Sequence, residues 1–271
     1  MKENVVISHN RGLGDYILLN GAVNYLSKCF KNVYYICLCD SRNKFKNIEY
    51  MYRNSNNIHL RYICTRSKEK YMRGIVRKAR KDYAGKSCDF RYVIFEHRRW
   101  EEIGIQRGLG SESSWAELFY KSFSVPYTAR QEHFNLDRNL DRERKIRSQF
   151  PSEYSLLIDH TRNSHFNCDI KTARYPLLRM GGKKKTTNRF GKESESSDDY
   201  IFDWISVIED AKEIFCLDTS WFHLIRNLAL NKPKFFIDVR RVNYVNHKSS
   251  LYLNDTIDKG WIIVDKNGYK K

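Results

Sequence analysis

Three short stretches of this sequence place residues able to hold phosphate or move a proton where an apolar strand-like run gives way to a helical pattern. The first is Arg11-Gly12-Leu13-Gly14-Asp15. A glycine-bearing turn at the carboxyl edge of a parallel sheet is where open α/β folds bind ligands. Gly12 and Gly14 permit positive φ and close backbone approach. Asp15 sits at the helix start, where its carboxylate can point into a crevice and accept a proton. Aspartate is also a favoured helix cap, a role without chemistry, and the spacing lacks the third glycine of a dinucleotide fingerprint.

The second stretch is Cys216-Leu217-Asp218-Thr219-Ser220-Trp221-Phe222-His223. An apolar strand ends at Asp218, and Thr219 and Ser220 open a helix. Free N–H groups and the positive dipole end at that point make a natural seat for a diphosphate. His223 lies one turn after Thr219, so both can face one ligand; a capped helix with a half-buried histidine is the plainer reading. The third stretch is Asp159-His160-Thr161-Arg162-Asn163, with Lys171 and Arg174-Tyr175-Pro176 downstream. Its basic and hydroxyl groups suit phosphate, and equally suit a polar loop.

These turns need a scaffold, and the hydrophobic pattern supplies one. Residues 5–8, 33–39, 58–64 and 92–95 read as short strands rich in Val, Ile and Tyr. Helical stretches cover 16–30, 45–52, 68–83 and 113–123. After a charged stretch over 137–149 and Pro151 the pattern restarts: strand 154–158, helix 202–211, strand 213–217, helix 221–230 and strand 234–239. Such alternation predicts parallel sheets with helices on both faces. The expected fold class is α/β, with two Rossmann-like domains, 1–150 and 151–271, facing each other across a cleft. The stretch 181–199 is poor in apolar residues and reads as a loop around one short strand at 188–190.

Composition narrows the partners. The chain has 271 residues, 41% hydrophobic and 14% aromatic, enough for cores in two small domains. Its net charge of +17 favours an anionic partner such as nucleic acid, a lipid surface or a phosphorylated small molecule. Neither an aromatic RNA-binding box nor zinc-finger spacing occurs, so nucleic acid is disfavoured. No run reaches the roughly 20 apolar residues of a membrane span, and residues 1–10 do not read as a signal peptide. Seven cysteines without C-x-x-C spacing suit buried thiols in a reducing, cytoplasmic compartment.

Taken together, these residues resemble a known family. Gly12-Leu13-Gly14-Asp15 looks like the Gly-Asp start of the heptosyltransferase-like glycosyltransferases, family 9, of GT-B fold. The stretch FCLDTSWFHLIRNLALNKP, residues 215–233, is similar to that family's D-T-G-x-x-H-L-A-A-A-L-x-x-P segment. His160-Thr161 with Tyr175-Pro176 looks like its H-x-T-x-R and K-x-W-P elements, and Phe190-Gly191-Lys192-Glu193 like its strand-Gly-x-x-Glu turn. Ser220 stands where the family has glycine, and Tyr175 where it has tryptophan.

The resemblance implies a glycosyltransferase that moves a sugar from a nucleotide-diphosphate donor to an acceptor hydroxyl on a glycan or glycoconjugate. Donor contacts would come from Thr161, Lys171, Arg174, Glu193, Asp218, Thr219, Ser220 and His223. Asp15 would be the general base, beside the acceptor-side Gly12 and Gly14. It implies single displacement with inversion, no metal, and no cofactor beyond the nucleotide-sugar substrate. The positive charge leaves room for peripheral contact with an anionic surface. Two other readings stay open: a relative that binds nucleotide sugars without catalysis, and a basic α/β protein that binds nucleic acid.

Overall fold

The computed structural model describes residues 2–9, 12–39, 42–64, 81–83, 88–93, 115–159, 168–180, 186–187, 193–194, 200–217, 219–228, 230–237 and 260–270. The chain divides into two compact units, Met1–Asp137 and Arg138–Lys271. The predicted junction at 150/151 thus falls inside the second unit.

The first unit is a four-stranded parallel sheet in the order β3-β2-β1-β4. Its strands are β1 (Lys2–His9), β2 (Phe30–Cys39), β3 (Ile58–Cys64) and β4 (Cys88–Val93). Val5, Val6, Ile7, Ser8 and His9 in succession are buried, as expected for a central strand covered on both faces. Among the described residues the helices are α1 (Leu13–Leu18), α2 (Asn20–Cys29), α3 (Arg42–Tyr52), α4 (Trp115–Ser122) and the short α5 (Ala129–Glu132). The single helix predicted over 16–30 is two, parted at Leu19. β4 starts earlier than the predicted 92–95, while most of the predicted helix 68–83 lies outside the described residues.

Within α2, Gly21 is where two backbones meet. A Cβ there would stand 2.3 Å from the Ala129 carbonyl oxygen and 2.9 Å from the Arg130 Cα. Backbone cannot swing aside as a side-chain tip can. Gly21→Ala is therefore expected to destabilise the first unit by about 1–3 kcal/mol through overpacking. Chemical denaturation measures this, and an unshifted midpoint would mean that α2 and α5 part easily.

The second unit opens with α6 (Leu140–Arg147), on the charged stretch between the predicted domains. β5 (Ser155–Ile158), β6 (Leu177–Arg179), β9 (Glu213–Cys216), β10 (Lys234–Ile237) and β11 (Trp261–Val264) form a parallel sheet in the order β11-β10-β9-β5-β6. β7 (Thr186–Thr187) and β8 (Glu193–Ser194) pair antiparallel within the stretch predicted as a loop. The strand predicted at 188–190 lies outside the described residues. A 3-10 turn (Ile201–Trp204) leads into α7 (Ile205–Asp210), replacing one predicted helix, and α8 spans Ser220–Asn227.

One face of this sheet carries α8, whose Phe222 packs on Phe236 and Trp261 at centroid distances of 5.1 and 4.9 Å. On the opposite face the described residues that cover the sheet are not helical. Leu157, Phe215, Leu217, Ile237 and Val264 pack there against Cys168 and Ile170, from a segment without helix. That segment is tied to residues 266–268: Asp169 N–H donates to the Lys266 carbonyl at 3.1 Å and Lys171 N–H to the Asn267 carbonyl at 2.9 Å. Backbone pairing thus satisfies the polar groups of a chain that covers a core without forming a helix. Cys37, Cys39, Cys168 and Cys216 are buried and unbridged.

Candidate active site

The order of each sheet reverses at one point. In the first unit the chain turns back between β1 and β4, and in the second between β5 and β9. Ligands of open α/β sheets sit outside the carboxyl ends of the strands at such switch points. The residues to weigh are those following β1 in one unit, and those following β5 and β9 in the other.

After β1, Gly12 caps α1 with φ −68° and ψ 171°, ordinary extended backbone, and Gly14 lies inside the helix. The positive φ that these glycines permit is not what the turn uses. Among the described glycines it occurs at Gly260 and Gly268. Asp15 is the third residue of α1 and half-buried. Its Oδ2 accepts the Gly12 N–H at 3.0 Å. One carboxylate oxygen therefore serves the cap. His9, the last residue of β1, is fully buried, with Nε2 2.8 Å from the Tyr35 hydroxyl.

After β9, Thr219 caps α8 with φ −143° and ψ 177°, and its carbonyl accepts the His223 N–H at 3.3 Å. The Thr219 hydroxyl is buried and has no hydrogen-bond partner among the described residues. An unpaired hydroxyl out of reach of water costs about 1–3 kcal/mol, so its presence at a helix N-terminus needs a reason. Ser220 opens the helix, where the first N–H groups have no intrahelical acceptor. His223 is buried one turn on. Asp218 and Thr161 lie outside the described residues.

After β5, Asp159 is buried, accepts the Cys168 N–H at 3.2 Å and pairs with Arg179, whose other nitrogen donates to the Cys168 carbonyl at 2.7 Å. Burial, reinforced by the Asp159 charge, pushes the Cys168 thiol up to about 11, which keeps it protonated. Arg179 ends β6 and is the cation that the sheet delivers to this carboxyl edge. Sequence reasoning passed it over because a three-residue strand after a proline shows no period.

Arg174 goes elsewhere. Its backbone N–H and its Nε donate to the Glu213 carboxylate at 2.8 and 3.1 Å, and Glu213 begins β9. Arg174 is thus at the amino edge of the sheet, and the structure does not bring it to Thr219. Lys171 is exposed on the segment that covers the face. Glu193 is in β8 of the short antiparallel pair. A cavity of about 490 Å³ lies at the amino edge of the first unit, among Asn24, Lys28, Tyr52, His133 and Asp137. It contains none of the residues singled out in the sequence.

No family model and no curated protein matches the sequence. Among solved structures, the glycosyl transferase family 9 protein from Veillonella parvula DSM 2008 superposes with a TM-score of 0.57 at 9% identity, covering 97% of this chain and 86% of that one. E. coli heptosyltransferase WaaC with ADP gives 0.46 at 11% identity, over 95% of this chain and 99% of that one. WaaC with ADP-2-deoxy-2-fluoro heptose gives 0.41 at 13%, over 94% and 99%. These two weaker superpositions add nothing to the fold assignment. Along nearly its whole length, the chain has a fold similar to that of a family 9 glycosyl transferase.

Proposed function

We propose that this protein is a glycosyltransferase that moves a sugar from a nucleotide-diphosphate donor to an acceptor hydroxyl, by inversion and without a metal. The observation that carries the reading is the Thr219 hydroxyl, buried and unpartnered at the N-terminus of α8, beside the sheet's switch point. A diphosphate there would accept from that hydroxyl and from the free N–H groups at Ser220 and Trp221, with the helix dipole favouring its charge. Lys171 is an exposed cation on the covering segment. As the glycosidic bond breaks, negative charge grows on the leaving diphosphate, and these donors stabilise it where it grows.

In this reading the first unit binds the acceptor, with Gly12, Gly14 and Asp15, and the second unit binds the donor. The Asp15 carboxylate takes the acceptor's hydroxyl proton as its oxygen attacks the anomeric carbon.

Thr219→Val tests the donor half, since it keeps the shape of the side chain and removes the hydroxyl. Affinity for nucleoside diphosphates, measured by calorimetry, should fall by about 1–3 kcal/mol with the fold intact. A wild-type chain that gains no thermal stability from any nucleoside diphosphate or nucleotide sugar would refute the reading, because selective ligands raise the melting temperature.

A further inference from the structure

We infer that His9 is a positioning residue for Asp15: clamped by the Tyr35 hydroxyl, its imidazole holds Tyr16 and so fixes the first turn of α1. The role in turnover rests on the reading of Asp15 as the base; the positioning itself rests on geometry alone.

His9, Tyr16, Tyr35 and Phe119 have no exposed surface. The imidazole lies 4.0 Å from the Tyr16 ring, centroid to centroid, and its face meets Phe119 edge-on at 5.5 Å. From below, Nε2 meets the Tyr35 hydroxyl at 2.8 Å, and the Tyr16 and Tyr35 rings are 5.5 Å apart. The Tyr16 hydroxyl donates to the His9 carbonyl at 3.4 Å, so the two residues are joined by ring contact and hydrogen bond. Tyr16 follows Asp15 directly, and the backbone N–H groups of Asp15 and Tyr16 both donate to the Gly12 carbonyl, at 3.2 and 3.4 Å. A shift of Tyr16 therefore moves the turn in which Asp15 holds the Gly12 N–H.

The polar handle on His9 has a purpose that a phenylalanine would not serve. A ring held by stacking alone can slide or tilt in its slot, whereas a hydrogen bond to a fixed partner selects one orientation. Tyr35 is such a partner, rooted in β2. Burial raises the Tyr35 and Tyr16 hydroxyls well above the ordinary phenol value, so both keep their protons and remain donors. Its burial also bars His9 from taking a proton from an acceptor directly.

His9→Phe keeps the ring and removes the bond to Tyr35; Tyr35→Phe removes the same bond from the other side, deleting one oxygen. Hydrogen exchange at Gly12 and along α1, with kcat and donor KM, reads the effect. Each single variant should raise Gly12 exchange by roughly tenfold and lower kcat roughly ten- to hundredfold, with donor KM nearly unchanged. The double variant should be no worse than either single one, and His9→Gln, whose amide can still meet the Tyr35 hydroxyl, should recover most of the loss. Folded variants with unchanged Gly12 exchange would overturn the inference, as would a kcat loss matching only a loss of folded protein. If His9→Phe does not fold, Tyr35→Phe gives the same readout. A wild-type chain without transfer activity would overturn the functional reading, and the exchange result would still decide the positioning.

Discussion

Asp15→Asn is expected to lower sugar-transfer turnover by roughly 10²–10⁴ while leaving donor affinity nearly unchanged. The structure makes this substitution informative. One Asp15 oxygen accepts the Gly12 N–H at 3.0 Å, and the asparagine carbonyl can accept the same bond, so the cap survives. What disappears is the basicity of the carboxylate, since an amide does not take the proton. A variant that loses stability and turnover together would reduce Asp15 to a helix cap. One with near-normal turnover would pass the base role to another group, and His9 is a poor heir because it is buried and engaged with Tyr35.

Arg138→Met is expected to destabilise the second unit by about 3–5 kcal/mol, because it strands a buried carboxylate. Glu143 has no exposed surface. Arg138 donates to both of its oxygens, through Nε at 2.9 Å and a terminal nitrogen at 2.5 Å, and also holds Glu209 at 2.7 Å. Ser206 N–H and hydroxyl complete the Glu143 shell at 3.1 and 2.8 Å, joining α6 to the start of α7. With the guanidinium gone, Glu143 keeps Ser206 and loses its countercharge. The double variant Arg138→Met with Glu143→Leu removes both charges and should recover a large part of the loss, since replacing a whole buried pair is far less costly than breaking it. Urea denaturation of the four proteins measures the coupling. Additive losses would mean that the two groups are independently solvated.

The same pairs explain where the units divide. A stretch as charged as 137–149 reads in a sequence as a solvated connector. In the structure, Arg138 meets Glu209, Arg142 pairs with the buried Asp203 at 2.8 Å, and Arg147 pairs with Asp210 at 2.5 Å. α6 is thereby fastened to the second unit, and the boundary falls at Asp137. The partners are 61 to 71 residues away along the chain, so local composition carries no sign of the match.

Strands and helices with strong periods were legible: β3 was read to its ends, and β2, β5, β9 and α8 to within a few residues. The turns that bear Asp15 and Thr219 were legible too, because an apolar run followed by a capping residue is a local signal. Both turns do open helices at the carboxyl edges of parallel sheets, with Gly12 and Thr219 as the cap residues. β6 and β11 were missed. They are short, and each is a strand only because a neighbour offers backbone partners, a nonlocal condition that residue type does not encode.

Tertiary structure alone decided which charges face which edge. Arg174 and Arg179 are five residues apart, and either could serve a phosphate on composition. The first is spent on Glu213 at the amino edge and the second reaches Asp159 at the carboxyl edge, because β6 carries the chain from one edge to the other between them. His9 follows the same logic. Its residue type offered a proton carrier, and the sheet and helices that enclose it turned it into a buried strut, since a side chain sealed from solvent can act only on what it touches.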